Sequence, residues 1–489
     1  MQAQGSLSVR LGRLMAGVMD HAASMNPRSS KRFTSKLAVA TASLLLWVAM
    51  TAPRAAAVPS YARQTGLACS GCHYTPPELN PAGRRFKLTG YVDRGDDTKT
   101  VKADGGTKRA ALDLLASLPL SVMLETSFTS LKTPQPQTQN GNFEFPQDIS
   151  LFLSGAWTSK IGSFLQVTYD TQDDHFTSDN TDIRFANKTK VAGKELVYGI
   201  DLNNNPTVED LWNSTPAWGF PWIASDNAPT PNAGAIINGG LAQDVAGLGG
   251  FFMYNDHLYV DATLYRSEHI NGSQPNPGTG FSNNIRGVAP YWRLAWQELT
   301  GKTQYEVGTY GMHMRSTPQQ LVNATTLAGI PTDSYTDWAV DTQIDRTLFR
   351  TDVLSFRATY IRENNDLLSS LYALNPPAVS QGPHHLNTVM ANAEYHLGNK
   401  YTGTIGWFNT TGTSDVTLYP SGSVSGNFNG DPRGAGVLFN VSYWPWQNLQ
   451  LAAQYIDYTR FNGAATNYDG AGRNASSNNT LYLDARIFF

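Results

Sequence analysis

From residue 116 to its end the chain repeats one pattern, short runs in which apolar and polar residues alternate. A period of two marks strands whose two faces meet different surroundings. The last run shows it best: Leu481, Leu483, Ala485, Ile487 and Phe489 share one face, and Tyr482, Asp484, Arg486 and Phe488 the other. Trp338, Val340, Thr342 and Ile344 likewise oppose Asp337, Asp341 and Asp345, and Leu258, Val260, Ala262 and Leu264 oppose Asp261 and Thr263. The runs predict strands near 116–130, 147–158, 162–172, 180–190, 194–203, 245–254, 258–267, 286–298, 302–315, 334–345, 348–363, 386–397, 400–411, 434–445, 448–461 and 478–489.

Alternation alone fits both a soluble sandwich with its polar face outward and a membrane barrel with its apolar face outward. The links between runs decide. Short turns at 159–161, 191–193, 255–257, 299–301, 346–347, 398–399 and 446–447 alternate with long links in every other gap. Tight turns on one side and long loops on the other are how outer-membrane barrels are built. The expected fold is therefore all-β, a transmembrane antiparallel β-barrel of about sixteen strands over 116–489. Both barrel ends fall on the short-turn, periplasmic side, and a barrel of that size encloses an aqueous lumen.

Composition agrees. Aromatic residues reach 11% while only 15% are charged, and the net charge of −3 gives no basic balance for nucleic acid. A mean hydropathy of −0.32 excludes a bundle of membrane helices. The longest loop, 204–244, carries Trp212, Trp218, Phe220 and Trp222 and is expected to fold inward and narrow the lumen. At the other end of the chain, Arg28, Lys31, Arg32 and Lys36 precede an apolar run at 37–50 and the small residues Ala55, Ala56 and Ala57. That order reads as an export signal over 1–57, with Met25 an alternative start.

The only two cysteines stand in Cys69-Ser70-Gly71-Cys72-His73. Exported proteins do form disulfides, but the adjoining histidine makes this the attachment sequence of a c-type haem. Each thiol adds to a haem vinyl group, and His73 is placed as an axial iron ligand. The segment 58–115 holds few large apolar residues and is too small to fold on its own core. It is expected to be a haem-bearing plug that enters the barrel from the periplasm, a position from which one haem could link the two sides of a membrane core about 30 Å thick. Arg84, Arg85 and Lys87 follow the motif closely and are candidates to pair with haem propionates; barrel acids such as Glu125 are the alternative partners. The segment has no Met and no second His, so a Met or His distal ligand must come from inward positions of the barrel. Met123, Met312, Met314, Met390 and His396 qualify, with Met123 first because it is nearest in sequence.

The residues Val58-Pro59-Ser60-Tyr61-Ala62-Arg63-Gln64-Thr65-Gly66, the motif itself, Pro77-Glu78-Leu79-Asn80, Gly83-Arg84 and Phe86-Lys87-Leu88-Thr89-Gly90-Tyr91 resemble the fused outer-membrane cytochrome–porins of iron-oxidising bacteria. The stretch from Asn204 through Trp212 and the Pro216-Ala217-Trp218-Gly219-Phe220-Pro221 stretch are similar as well. Tyr74-Thr75-Pro76 departs from that family's pattern after the histidine. The resemblance implies one-electron oxidation of extracellular Fe(II), with electrons passed to a periplasmic cytochrome or copper protein. Glu209 and Asp210 in the long loop are then candidates to attract Fe(II), since hard cations prefer oxygen. Two other functions compete with this one: a solute channel with a structural or regulatory haem, and a conduit for a different extracellular donor or acceptor.

Overall fold

The computed structural model describes residues 60–92, 100–101, 114–115, 119–172, 174–220, 222–243, 245–267, 284–318, 321, 329–349 and 351–489. The expected signal segment 1–57, the start at Met25, and residues Val58, Pro59, Leu118 and Pro221 lie outside the described residues. The wall begins with β1 (Leu120–Leu131). β2 comprises Asn142–Glu144, Asp148–Leu153 and Gly155–Ala156. β3 (Ile161–Asp170), β4 (His175–Val191), β5 (Lys194–Asn203), β6 (Val245–Tyr254) and β7 (Leu258–Ser267) follow. β8 comprises Asn284–Ile285 and Ala289–Thr300. Then come β9 (Thr303–Thr317), β10 (Asp333–Thr347), β11 (Val353–Leu367), β12 (His384–Leu397), β13 (Tyr401–Gly412), β14 (Gly434–Trp446), β15 (Leu449–Arg460) and β16 (Thr480–Phe488). Every strand pairs antiparallel with its neighbour, and β16 closes on β1, from Thr480 opposite Leu131 to Phe488 opposite Met123. The expected barrel is thus present and closed, with no free edge.

The structure corrects three details. β2 is interrupted where Pro146 stands, because proline has no N–H for the ladder. β4 starts at His175 rather than near 180, so the link 171–174 is tight although it lies on the long-loop side. Its polar stretch Thr177 to Asp182 hides a strand that pairs with β3 from Asp170 facing His175, with a shift of register between Leu165 and Val167. β11 starts at Val353, so the turn before it runs from 348 to 352.

Burial is inverted relative to a soluble protein. Leu248, Leu264, Val307, Ile405 and Val441 are exposed on the outside, while Asp201, Asp261, Arg293, Asp341 and Arg357 are buried inside. Only a wall between lipid and a filled lumen makes that distribution favourable. Exposed aromatics lie near the short turns (Trp296, Tyr305, Tyr401, Tyr443, Trp446) and again higher on the wall (Trp292, Trp338, Trp407). Two such girdles flank the apolar band of a membrane barrel.

The lumen holds two segments. The loop over 204–243 folds inward as expected: Ala235, Ile237 and Leu241 pack on Tyr265, Tyr291, Tyr310, Met312 and Met314 of the wall. Deeper in the same lumen, Leu211 and Trp212 pack with Phe251, Tyr259 and Leu88, the last from the haem-motif segment.

Leu294→Arg places a cation on the outward face, well away from the turn at 301–302. It should lower folding stability in lipid by about 2–4 kcal/mol, read as a lower urea midpoint of the barrel in vesicles. An unchanged midpoint would contradict the assignment of that face to lipid.

Candidate functional site

The motif segment is built from α1 (Ser60–Thr65), a single 3-10 turn at Cys69–Gly71 and α2 (Pro81–Leu88). Asn80 starts α2: its side-chain oxygen accepts from the amides of Ala82 and Gly83 at 3.0 Å each, and Pro81 occupies the first helical position. Both are favoured devices for a helix start. The Asn80 amide donates to the Cys72 carbonyl at 2.9 Å. Gly83 lets the helix lie against that same carbonyl, for a Cβ there would stand 2.1 Å from the Cys72 oxygen. Tyr61, Phe86 and Tyr91 form a small aromatic centre, with Tyr61 and Tyr91 parallel at 5.5 Å and Phe86 edge-on to both. Three rings are too little core for an independent fold, and the segment leans on the barrel wall and on the long loop.

The site fits haem c in its own geometry. The amides of Cys72 and His73 both donate to the Cys69 carbonyl, at 3.1 and 3.0 Å, which holds the two thiols on one turn. The thiols are half-buried and not joined to each other. Burial pushes both above the usual cysteine value, the reverse of the shift a reactive dithiol needs. The His73 ring faces the Glu78 carbonyl through Nδ1 at 3.1 Å. With Nδ1 donating, Nε2 carries the lone pair, the tautomer an axial ligand requires. Burial also lowers the His73 pKa to about 4, so the ring stays neutral.

The segment is fastened to the wall around much of its circumference. The Ser60 amide donates to Ser121 of β1 at 3.1 Å, and Tyr61 donates to the Ser163 carbonyl of β3 at 2.6 Å. Gln64 donates to the Ser154 carbonyl and accepts from the Ala156 amide. Tyr91 donates to Asp182 of β4 at 2.5 Å. On the far side Glu78 bonds Arg357 of β11 and accepts from Gln343 of β10 at 3.2 Å. Thr75 meets Thr402 of β13 at 3.2 Å. Several of these wall positions lie near short turns, so the segment sits toward the short-turn end.

Each basic candidate has a protein partner. Arg84 and Asp345 form a buried ion pair at 2.8 Å. Arg85 pairs with Glu195 at 2.6 Å in a half-exposed position, where an ion pair contributes only about 0–1 kcal/mol. Lys87 is buried, donates to the Asp210 carbonyl and to Asn213, and lies over the Trp218 ring. Glu125, the barrel acid set against these cations, pairs instead with Arg486 at 2.9 Å.

Glu209 and Asp210 lie inside the lumen. Both are buried and bonded to their surroundings. Glu209 faces Arg184 at 3.2 Å and accepts from Asn203 and Thr263. Asp210 accepts from the amides of Trp212, Ser214 and Thr215 and lies 3.6 Å from Arg293. The sequence shows two acids in a loop; it does not show the inward arginines that bind them. Those arginines form a set. Arg184 also holds the Val208 carbonyl, and Arg486 holds the Trp222 carbonyl. Wall acids grip the same loop by its backbone: Glu363 accepts from the Ile236 amide at 2.7 Å and Asp337 from the Ile237 amide at 2.8 Å.

Of the distal-ligand candidates, Met312 and Met314 are committed to the loop core. Met390 lines a small cavity with Phe220 and Arg357. Met123 pairs across to Ser150 and Phe488, one inward position above Ser121, where the segment touches β1. His396 meets the motif segment: its Nδ1 lies 3.5 Å from Thr75, and its ring 5.6 Å from the Tyr74 ring.

Strand order and lumen together define a plugged, porin-like β-barrel. Comparison with known proteins gives general likeness only. No family model matches the chain, and neither does any curated protein. Among solved structures, the OmpT outer membrane protein of Vibrio cholerae aligns at 12% identity over 80% of this chain and 100% of its own, with a TM-score of 0.41. The outer membrane channel DcaP of Acinetobacter baumannii aligns at 12% identity over 76% and 96%, with a TM-score of 0.43. The anion-selective porin from Comamonas acidovorans aligns at 10% over 76% and 98%, with a TM-score of 0.40.

Two substitutions test this geometry. Gly83→Ala should push α2 off the Cys72 carbonyl and reduce covalent haem, read by haem staining of denatured protein at equal barrel yield; undiminished staining would contradict the close approach. Arg293→Met leaves Asp210, Glu306 and Asp341 without the cation they share. It should cost about 3–5 kcal/mol and open the loop to protease. An unchanged urea midpoint with a resistant loop would show that the arginine does not fasten it.

Proposed function

We propose that this chain is an outer-membrane cytochrome of a Gram-negative bacterium, an electron conduit that oxidises extracellular Fe(II) and delivers electrons to a periplasmic cytochrome or copper protein. One observation carries the reading. The Cys69–Cys72–His73 turn is fastened to the inward face of a closed barrel, through Thr75, Glu78 and Arg84, rather than tethered beside it. A haem attached there would supply reversible one-electron exchange at a place between the two aqueous sides.

The chain's own residues do three things in this reading. Cys69 and Cys72 would hold the group covalently. His73 would offer Nε2 to the iron, its ring held by the Glu78 carbonyl. The loop, with Trp212 fully buried and Trp222 beside Arg357, fills lumen that a solute would otherwise use. Outer-sphere transfer from Fe(II) needs no general base and no nucleophile, and the solute-channel reading has to explain two segments packed across the lumen.

The test reconstitutes haem-loaded full-length protein in liposomes enclosing oxidised cytochrome. Fe(II) added outside should reduce the enclosed cytochrome, and protein with both Cys69→Ala and Cys72→Ala should neither do so nor keep haem stain after denaturation. Sugar uptake without reduction would support a solute channel instead. Stain that persists in the double variant would overturn the covalent attachment.

A further inference from the structure

Between the motif segment and β12, three buried side chains converge, and one of their carboxylate oxygens has no partner among the described residues. Glu78, Glu394 and His396 are all buried, at 0%, 2% and 2% exposure. One ligand atom from each lies within 4.8 Å of the other two. The atoms left without a hydrogen bond are Glu78 Oε2, Glu394 Oε1 and His396 Nε2. A buried polar group left unbonded is costly; Glu394 Oε1 and His396 Nε2 face each other as an ion pair at 3.1 Å, whereas Glu78 Oε2 has no partner among the described residues.

The surroundings prepare these atoms. His396 Nδ1 faces Thr402 Oγ1 at 3.3 Å and Thr75 Oγ1 at 3.5 Å. A proton held on Nδ1 leaves Nε2 as a lone pair, the usual way an outer contact orients a ligating histidine. Nε2 stands 3.1 Å from Glu394 Oε1. Thr404 donates to the other Glu394 oxygen at 2.7 Å, and Arg357 and Gln343 bind the other oxygen of Glu78. Glu78 thus has one oxygen committed and one free, and Glu394 Oε1 is shared between His396 and, at 3.8 Å, Arg357. Two carboxylates against the single guanidinium of Arg357 leave a net negative charge when the imidazole is neutral.

We propose that Glu78, Glu394 and His396 bind a first-row divalent cation, of the Mn(II), Fe(II) or Zn(II) class, bridging the motif segment to the barrel wall. Ligands on opposite sides of such an ion stand about 4 Å apart, a spacing these atoms can meet. An imidazole among carboxylates selects this class over Ca(II) or Mg(II), which take oxygen ligands. The site stands whether or not haem is attached. It involves the residue whose carbonyl orients His73, so an ion here would fix both ends of Glu78 at once.

The experiment uses full-length folded protein stripped with chelator, with Mn(II) as the probe. Loss of the free Mn(II) electron paramagnetic resonance signal should titrate to one tightly bound ion per chain. Zn(II) should displace it, and millimolar Ca(II) should not. Pulsed measurements should show one imidazole nitrogen coupled to bound Mn(II). Two further carboxylate clusters, Asp148 with Asp170 and Asp226, and Asp201 with Glu209 and Asp261, contain no histidine, so ions bound there would lack that coupling. Glu394→Gln and His396→Gln should each weaken binding at least tenfold, with barrel folding checked by heat-modifiable gel migration. No tight Mn(II), ready displacement by Ca(II), no nitrogen coupling, or unchanged affinity in both folded variants would overturn the site. The nitrogen coupling decides the matter even if a variant fails to fold, and no outcome depends on Fe(II) oxidation.

Discussion

The lumen of this barrel is charged, and a charged lumen must be neutralised from within. Arg184, Arg293 and Arg357 stand buried on the inward faces of β4, β8 and β11. An unpaired buried charge costs several kcal/mol, far more than a surface pair returns. Each of these arginines finds carboxylates on the wall and one further acid from a segment inside it: Glu209, Asp210 and Glu78 respectively. The wall thus specifies where the loop and the motif segment must lie. Remove either segment and the wall holds uncompensated charge; remove an arginine and the segment loses its seat.

This requirement explains why a stretch with only three packed rings of its own can be ordered. Its fold is borrowed. Ser60, Tyr61, Gln64, Tyr91, Arg84, Glu78 and Thr75 reach wall strands on opposite sides of the lumen. The same contacts fix the orientation of the Cys69–His73 turn relative to the membrane.

The architecture was legible in the sequence because lipid and lumen impose opposite demands on neighbouring residues. Leu258 through Leu264 and Trp338 through Ile344 alternate so regularly that face and strand could be read directly. The strand beginning at His175 was hidden, since its inward and outward residues near Asp179 are both polar. The motif was legible as well, because Cys-x-x-Cys-His is a local pattern. What stayed hidden was everything that depends on pairing across the lumen. Glu209 and Asp210 looked like open acids because nothing in their own loop shows Arg184, more than twenty residues earlier, or Arg293, far later. Arg84 and Lys87 looked available to haem propionates for the same reason. The meeting of Glu78 with His396 joins residues more than three hundred positions apart, and no short window contains both.

The central claim is that a single haem is held within the ring of strands rather than below it. An experimental structure of the full-length haem-loaded protein, with an anomalous difference map at the iron absorption edge, tests this most directly. The account predicts one strong haem-iron peak beside His73 Nε2, enclosed by β10 to β13 on one side and by the 204–243 loop above. An iron peak lying in the periplasm beyond the short turns, or none bonded to His73, would contradict it.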